Sequence, residues 1–506
     1  MLEITLILLL LLLGLVYAFM TWNYGFWRKR NVPGPSPRWI TGNYPHMYNM
    51  KRHTIYDLNE IYSQYKHQFD AIGIFKARCP QLMVINPQLA RRIFVSDFKH
   101  FHDNEMSLMV DEKSDFIFAN NPFILVGDEW KQRRADVTPG LTMARIKAVY
   151  PVTNEVCRKM SEWLRKQIRL PPPEGINGKD LSLRFTTEMV TDCVLGLKAE
   201  SFSDKPSPIM GYIKGLFTLP WTSIMYFMIV NTLPTLRQVF KMRLIPLHIE
   251  HYFVNLMQTA IDARRQQLAA GKQFDRVDYL EYILQLGNKK NLDTRHLTAH
   301  TMTFLLDGFE TTATVLSHLL LLLGRDEQVQ QQLREELEAH LNAKGIIDFE
   351  MLNELPFLDA CVQEAIRLFP LFVASKLCTE PIELPNKKGG NFTVERGTTV
   401  IVPHCCFMLD EEYFPNPQDF KPERFMQPDA ARKYREQGVF MGFGDGPRVC
   451  IGMRFALIQI KAALVETLTK FNVRINPKTR KDILYDPMAF VTTLQGGIWL
   501  DFEARQ

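Results

Sequence analysis

Apolar residues recur at helical spacing over 54–65, 127–168, 180–196, 250–270, 294–323, 326–342, 356–369 and 451–471, which predicts amphipathic helices through most of the chain. Strand-like alternation is confined to short pieces near 71–85, 379–402 and 485–502. The expected class is mainly α with small β-sheets, an α+β arrangement. The longest periodic run, Thr294 to Leu323, contains no proline and is expected to stop at Gly324. About 30 residues at 1.5 Å each is roughly 45 Å, enough to cross a whole domain. Its tail VLSHLLLLL is too short for a membrane span, and Asp307 and Glu310 lie just before it, so a helix through the core is expected.

A different apolar run opens the chain. Residues 4–20 carry no charge, Trp22, Tyr24, Phe26 and Trp27 follow, and then come Arg28, Lys29 and Arg30. A run near twenty residues can span a bilayer. A cleaved signal peptide would have a shorter apolar core preceded by basic residues, whereas here the basic cluster follows. The positive-inside rule then puts the body of the protein in the cytosol, on the outer face of the endoplasmic reticulum. Pro33, Pro35 and Pro37 make the next stretch stiff and extended. The expected organisation is a signal anchor at 1–27, a basic, proline-rich hinge at 28–37 and one catalytic domain at 38–506. No low-complexity linker or repeat divides that domain, and PPPEGINGKD at 171–180 reads as an exposed loop.

Composition narrows the partners. Hydrophobic content of 46% with 34 Phe and 22 Met implies a thick core and an apolar, adaptable pocket. A net charge of +5, with scattered basic residues and no reading helix or finger motif, excludes nucleic acid as the expected partner. The eight cysteines show no framework spacing, and Cys405 adjoins Cys406, which suits a reducing compartment. No Cys-x-x-Cys or His-x-x-x-His cluster indicates zinc.

The chemistry concentrates in FMGFGDGPRVCIG at 440–452, where Cys450 sits in a glycine-rich loop just before a helical stretch. Gly444, Gly446 and Gly452 allow close backbone approach to a flat, bulky partner, and the helix N-terminus behind the cysteine is expected to lower its thiol pKa. An anionic sulfur on such a loop suits haem iron, because thiolate ligation favours O–O cleavage. The alternative is a buried structural cysteine. Phe443, Gly446, Arg448, Cys450 and Gly452 together meet the pattern F-x-x-G-x-R-x-C-x-G. The segment resembles the haem-binding loop of the haem-thiolate monooxygenases, the cytochrome P-450 family. EAIR, with Glu364 and Arg367, and FKPERF, with Arg424, stand in the family's order and imply a Glu-Arg-Arg cluster behind the haem. The general texture is similar to that of insect microsomal members of the detoxification type.

The resemblance implies a P-450 fold, haem b with an axial thiolate from Cys450, and Phe443 beside it. Trp130, Arg134 and Arg448 would bind the haem propionates, together with Lys376, where relatives often have arginine. DGFETT at 307–312 is similar to the family's oxygen-activation motif. Gly308 would open the helix, Thr311 would present its hydroxyl or a water to dioxygen, and Glu310 would connect to solvent as a proton source. Otherwise Thr311 and Thr312 bond back to helix carbonyls. Asp307 departs from the family pattern, which has Ala or Gly there: either it selects a substrate with a basic or hydroxyl group, or it points away and is solvated.

The apolar stretch 208–247 is core, or else, through Trp221, Tyr226 and Phe227 flanked by Lys214, Arg237, Lys241 and Arg243, a surface that dips into membrane lipid. The expected function is insertion of one oxygen atom from O2 into a lipophilic small molecule: a xenobiotic, a steroid or another lipid. No G-x-G-x-x-G fingerprint is present, so electrons would come from NADPH through NADPH-cytochrome P-450 reductase, with cytochrome b5 as a further candidate donor. Lys131, Arg133 and Lys433 are candidate docking charges. A haem-thiolate isomerase or dehydratase, and a non-catalytic haem-binding protein, are the alternatives; the intact Glu310 and Thr311 pair argues against both.

Overall fold

The computed structural model describes residues 2–216, 221–270, 279–387 and 390–505. Residues 217–220 of the apolar 208–247 stretch and 388–389 of the strand region at 379–402 lie outside them. The helices that build the site are α1 (Leu2–Thr21), α2 (Pro87–Phe94), α3 (Gly127–Val137), α4 (Gly178–Leu195), α5 (Trp221–Thr232), α6 (Leu247–Ala269), α7 (Thr294–Arg325), α8 (Pro356–Leu368) and α9 (Met453–Lys470). The strands are β1 (Ala71–Lys76), β2 (Cys79–Val84), β3 (Ile176–Asn177), β4 (Ala374–Leu377), β5 (Ile382–Leu384), β6 (Phe392–Val394), β7 (Thr399–Val402), β8 (Phe471–Ile475) and β9 (Trp499–Ala504). They form small sheets in the orders β1-β2-β7-β4, β3-β9-β8 and β5-β6. The expected α+β class holds.

α7 is apolar on nearly every side, so it can be stable only with neighbours all round. It runs through the core against α4, with α6, α8 and α9 also in contact. By length and composition both α1 and α7 could cross a membrane, but 78% of the α7 window is buried against 6% for α1. Burial therefore separates a core helix from a span that leaves its leucines outside.

Differences from the expected elements have local causes. The run at 127–168 breaks at Pro139, Gly140 and Pro151 into α3, a turn at Thr138–Leu141, and helices Met143–Ala148 and Tyr150–Arg169. α7 passes Gly324 and ends at Arg325, where Asp326 caps the next helix. A Cβ at Gly324 would come 3.0 Å from the Ile475 side chain of β8, so that glycine serves packing. The stretch at 171–180, expected to be an exposed loop, buries Gly175 and Ile176, pairs β3 with β9 and starts α4. A helix at Tyr279–Lys290 has no counterpart in the apolar pattern.

The chain after α1 packs on the first sheet. Trp27 is 4% exposed, and its indole N–H donates to Ile74 O at 3.1 Å. A Cβ at Gly73 would fall 2.1 Å from that indole. Gly73 N donates to Pro33 O at 2.7 Å, and Arg30 pairs with Glu395 at 2.7 Å. The boundaries expected after residues 27 and 37 fall inside this packed segment.

Candidate functional site

Between Leu297 and Leu323, α7 is buried at every position except Asp307, Gly308, Glu310 and Thr311. Asp307 and Thr311 are one turn apart and share a face. Thr311 Oγ1 donates to Asp307 O at 2.6 Å, which uses the hydroxyl proton and leaves its lone pairs to accept. Thr312 turns inward at 3% exposure. Asp307 keeps accessible surface, yet burial pushes its carboxyl up to about 7, opposed by Asn121, whose Nδ2 lies 3.3 and 3.4 Å from the carboxylate oxygens. The carboxylate is therefore not in bulk water. Glu310, expected to reach solvent, is half-buried and pairs with Lys179 Nζ of α4 at 2.8 Å.

Cys450 faces the same region: it too keeps exposed surface, and the charge of Asp307 acts on its thiol. Both groups touch solvent yet are desolvated by the protein around them, and α7 and the cysteine loop bring them within electrostatic reach of each other. Burial raises the Cys450 thiol to about 11, the reverse of the expected lowering. The backbone N–H groups of Gly452 and Met453 at the start of α9 do act in the expected direction, as does Arg134, but desolvation outweighs them. Cys450 N donates to Phe443 O at 2.9 Å, which closes the loop on the half-buried Phe443. Gly446 has φ +67, and a Cβ there would stand 1.9 Å from Phe94 O. This glycine lets the loop press on the end of α2, not on a ligand.

Beside the loop lies a concentration of positive charge. Arg134 Nη2 donates to Val449 O at 2.9 Å, and Arg448 donates to Pro122 O at 3.0 Å and to Leu125 O at 2.7 Å. The Arg448 guanidinium stacks 4.3 Å from the buried Trp130 ring, and its Nε is buried without a partner. Lys376 is 6% exposed, with Nζ over the Phe94 and Phe98 rings at 4.7 and 5.9 Å. Burial, then Arg448, lowers its ammonium to about 7, and burial lowers Arg448 to about 10. Asp103 is the facing carboxylate, 3.5 Å from Arg448, and it already binds His102 at 2.6 Å. A buried lysine and two half-buried arginines, with Asp103 facing only Lys376 and Arg448, call for further anions, and a sulfur beside them can bind a metal. The residues present fit a haem, whose two propionates would supply that charge.

A family model described as Cytochrome P450 matches residues 32–500. The chain belongs to that family. It is 65% identical to a Drosophila melanogaster protein named probable cytochrome P450 28a5, over 99% of this chain and all of that one. Identity is 47% to probable cytochrome P450 28d1 of the same fly, over 98% and 97%. It is 25% to cytochrome P450 6A1 of Musca domestica, over 97% and 96%. A cytochrome P450 carries haem b on an axial cysteine thiolate, and its general activity is haem-thiolate monooxygenation of small molecules, with electrons from redox-partner reductases. The apolar α1 points to membrane anchoring, as in microsomal P450s.

In this P450 the structure brings together Glu364, Arg367 and Arg424. Arg367 donates to both Glu364 oxygens at 2.7 Å, and Arg424 Nε lies 3.2 Å from Oε1. Of the candidate docking charges, Lys131 and Lys433 are exposed, but Arg133 is not free: its Nη2 donates to Asn120 Oδ1 at 2.7 Å, and burial lowers its pKa. Arg237 and Arg243, expected as surface cations, pair with Glu105 and Glu250, each at 2.7 Å. Lys179, Asp103 and Asn121 escaped sequence reasoning. Each gains its meaning from a partner distant in the chain, and only the adjoining motif hints at it.

Proposed function

We propose that this cytochrome P450 is a microsomal monooxygenase that inserts one oxygen atom from O2 into a lipophilic small molecule: a xenobiotic, a steroid or another lipid. Its electrons come from NADPH through NADPH-cytochrome P-450 reductase, with cytochrome b5 as a second donor. α1 anchors it in the endoplasmic reticulum membrane with the catalytic domain on the cytosolic face, because the basic cluster at 28–30 follows the span. A second apolar surface supports lipid contact. Trp221, Met225 and Ile229, spaced by four on α5, are 65%, 43% and 44% exposed. The end of α5 lies near the end of α1: Cys79 bonds to Asn231 O at 3.1 Å, and its neighbour Arg78 stacks 3.8 Å from Phe19. One bilayer face would then contact both and deliver apolar substrate.

The roles divide by face. Cys450 Sγ would hold the haem iron beside Phe443, and Trp130, Arg134, Lys376 and Arg448 would hold the propionates. Bound haem b supplies dioxygen binding and O–O cleavage. Thr311 Oγ1, its own proton engaged by Asp307 O, accepts from a water and orients it. Glu310 supplies the proton, and Asp307, held near neutrality by burial, is the third group able to hold one on this face. The break in α7 burial opposite Cys450 carries the reading. Cys450→His keeps the fold but abolishes the thiolate signature in the absorption spectrum of the reduced carbon monoxide adduct; an unchanged spectrum would give the iron to another residue.

A further inference from the structure

The first turn of α4 places Lys179 where a cation is least favoured. The positive end of the helix dipole lies beside it, and burial lowers its ammonium pKa. The turn is fixed from both sides. Asn177 pairs with Trp499 across β3 and β9, Gly178 N donates to Ile498 O at 2.7 Å, and the Asn177 side chain caps the helix at Asp180 N. The backbone that carries Lys179 is therefore fixed by the sheet.

Among the described residues, its compensation comes from α7. Nζ lies 2.8 Å from Glu310 Oε1 and also contacts Thr314 Oγ1. The two side chains are 19% and 13% exposed, so water screens the pair little. Thr314 Oγ1 donates to Glu310 O at 2.7 Å, which turns its lone pairs towards the ammonium. Two acceptors one helical turn apart thus hold one cation, and the carboxylate next to Thr311 is fixed on the α4 side of α7.

We infer that Lys179 is the positioning residue for Glu310, holding its carboxyl group aimed so that a proton passes through it to the Thr311 face. The inference rests on the reading that Glu310 and Thr311 handle protons. Lys179 itself transfers no group; it acts through Glu310.

The test uses the full-length, haem-loaded protein with an NADPH-dependent reductase and a lipophilic substrate that it turns over. Readouts are product per NADPH consumed, peroxide release, the substrate KM and the thermal midpoint. Lys179→Met removes the charge, Lys179→Gln keeps a hydrogen-bond donor without charge, and Lys179→Arg keeps the charge. Loss of coupling by roughly tenfold in Lys179→Met and Lys179→Gln, at unchanged KM, is the expected size for a partner of a reacting group. Lys179→Arg restores most of it. Lys179→Met on a Glu310→Gln background adds nothing further, because its route of action is already gone. Should Lys179→Met fail to load haem, Lys179→Gln decides. Full coupling in the neutral variants while Glu310→Gln uncouples would overturn the inference and spare the proton reading, as would additive losses in the double variant. Full coupling in Glu310→Gln and Thr311→Ala would sink that reading itself, and this inference with it.

Discussion

Replacing Arg367 with methionine should be among the most damaging single changes in this protein, and the structure allows the size to be worked out. Arg367 and Glu364 are both 0% exposed. The guanidinium gives two bonds to Glu364 at 2.7 Å, one to Met408 O at 2.7 Å and one to Asp419 O at 3.3 Å. Methionine fills much of the volume but removes all four. Glu364 keeps only Arg424 Nε at 3.2 Å and Lys421 N at 3.1 Å, and the Met408 carbonyl loses the Arg367 bond. Breaking a buried pair from one side costs about 3–5 kcal/mol, chiefly through the stranded charge. A loss near 4 kcal/mol is roughly a thousandfold in the folded-to-unfolded ratio. If the stranded charge is the cause, Arg367→Met with Glu364→Gln should recover about half the loss, since Arg424 retains Pro415 O and Asn416 O at 2.6 and 2.9 Å. The assay is the urea midpoint of the haem-loaded protein, read from its haem absorption band. A single-variant loss under about 1 kcal/mol, or a double variant no better than the single, would refute the reasoning.

Gly446→Ala puts a methyl 1.9 Å from Phe94 O at a φ of +67, so it should cost more than the roughly 1–2 kcal/mol of the left-handed conformation alone; haem occupancy on purification should fall with it. At Asp410, burial raises the pKa, but the bonds from Lys66 and Tyr62 outweigh it and hold the carboxyl below its ordinary value. A depressed folded pKa gives stability that is present above the unfolded pKa and lost as pH falls through the folded one. Urea midpoints should therefore drop on acidification more in the parent than in Lys66→Met. Deleting residues 2–21 should release much of the protein from membranes at little change in thermal midpoint, whereas deleting 2–27 removes the Trp27 anchor and should lose about 3–5 kcal/mol. Sedimentation and thermal melts separate the two, and equal melts would dismiss the packed segment.

Short windows of the chain carried a large part of this protein. The unbroken period of α7, the apolar run of α1, and one cysteine among glycines before a helix are local patterns, and local backbone and burial preferences suffice to read them. The Glu364 and Arg367 contact was legible for the same reason, since three positions on a helix share a face. What the local pattern misjudged was every balance that a distant neighbour sets. The helix dipole pointed to a lowered Cys450 pKa, and desolvation by the assembled core reversed it. Gly446 looked like room for a ligand and proved to be room for Phe94. Arg133 and Arg237 were surface cations until the fold enclosed them. Lys179 lay in an apparent loop, 135 positions from the threonine it contacts. Electrostatic energy depends on what surrounds a charge in space, and close packing on which atoms meet there; neither is a property of a segment, so only the tertiary structure decided them.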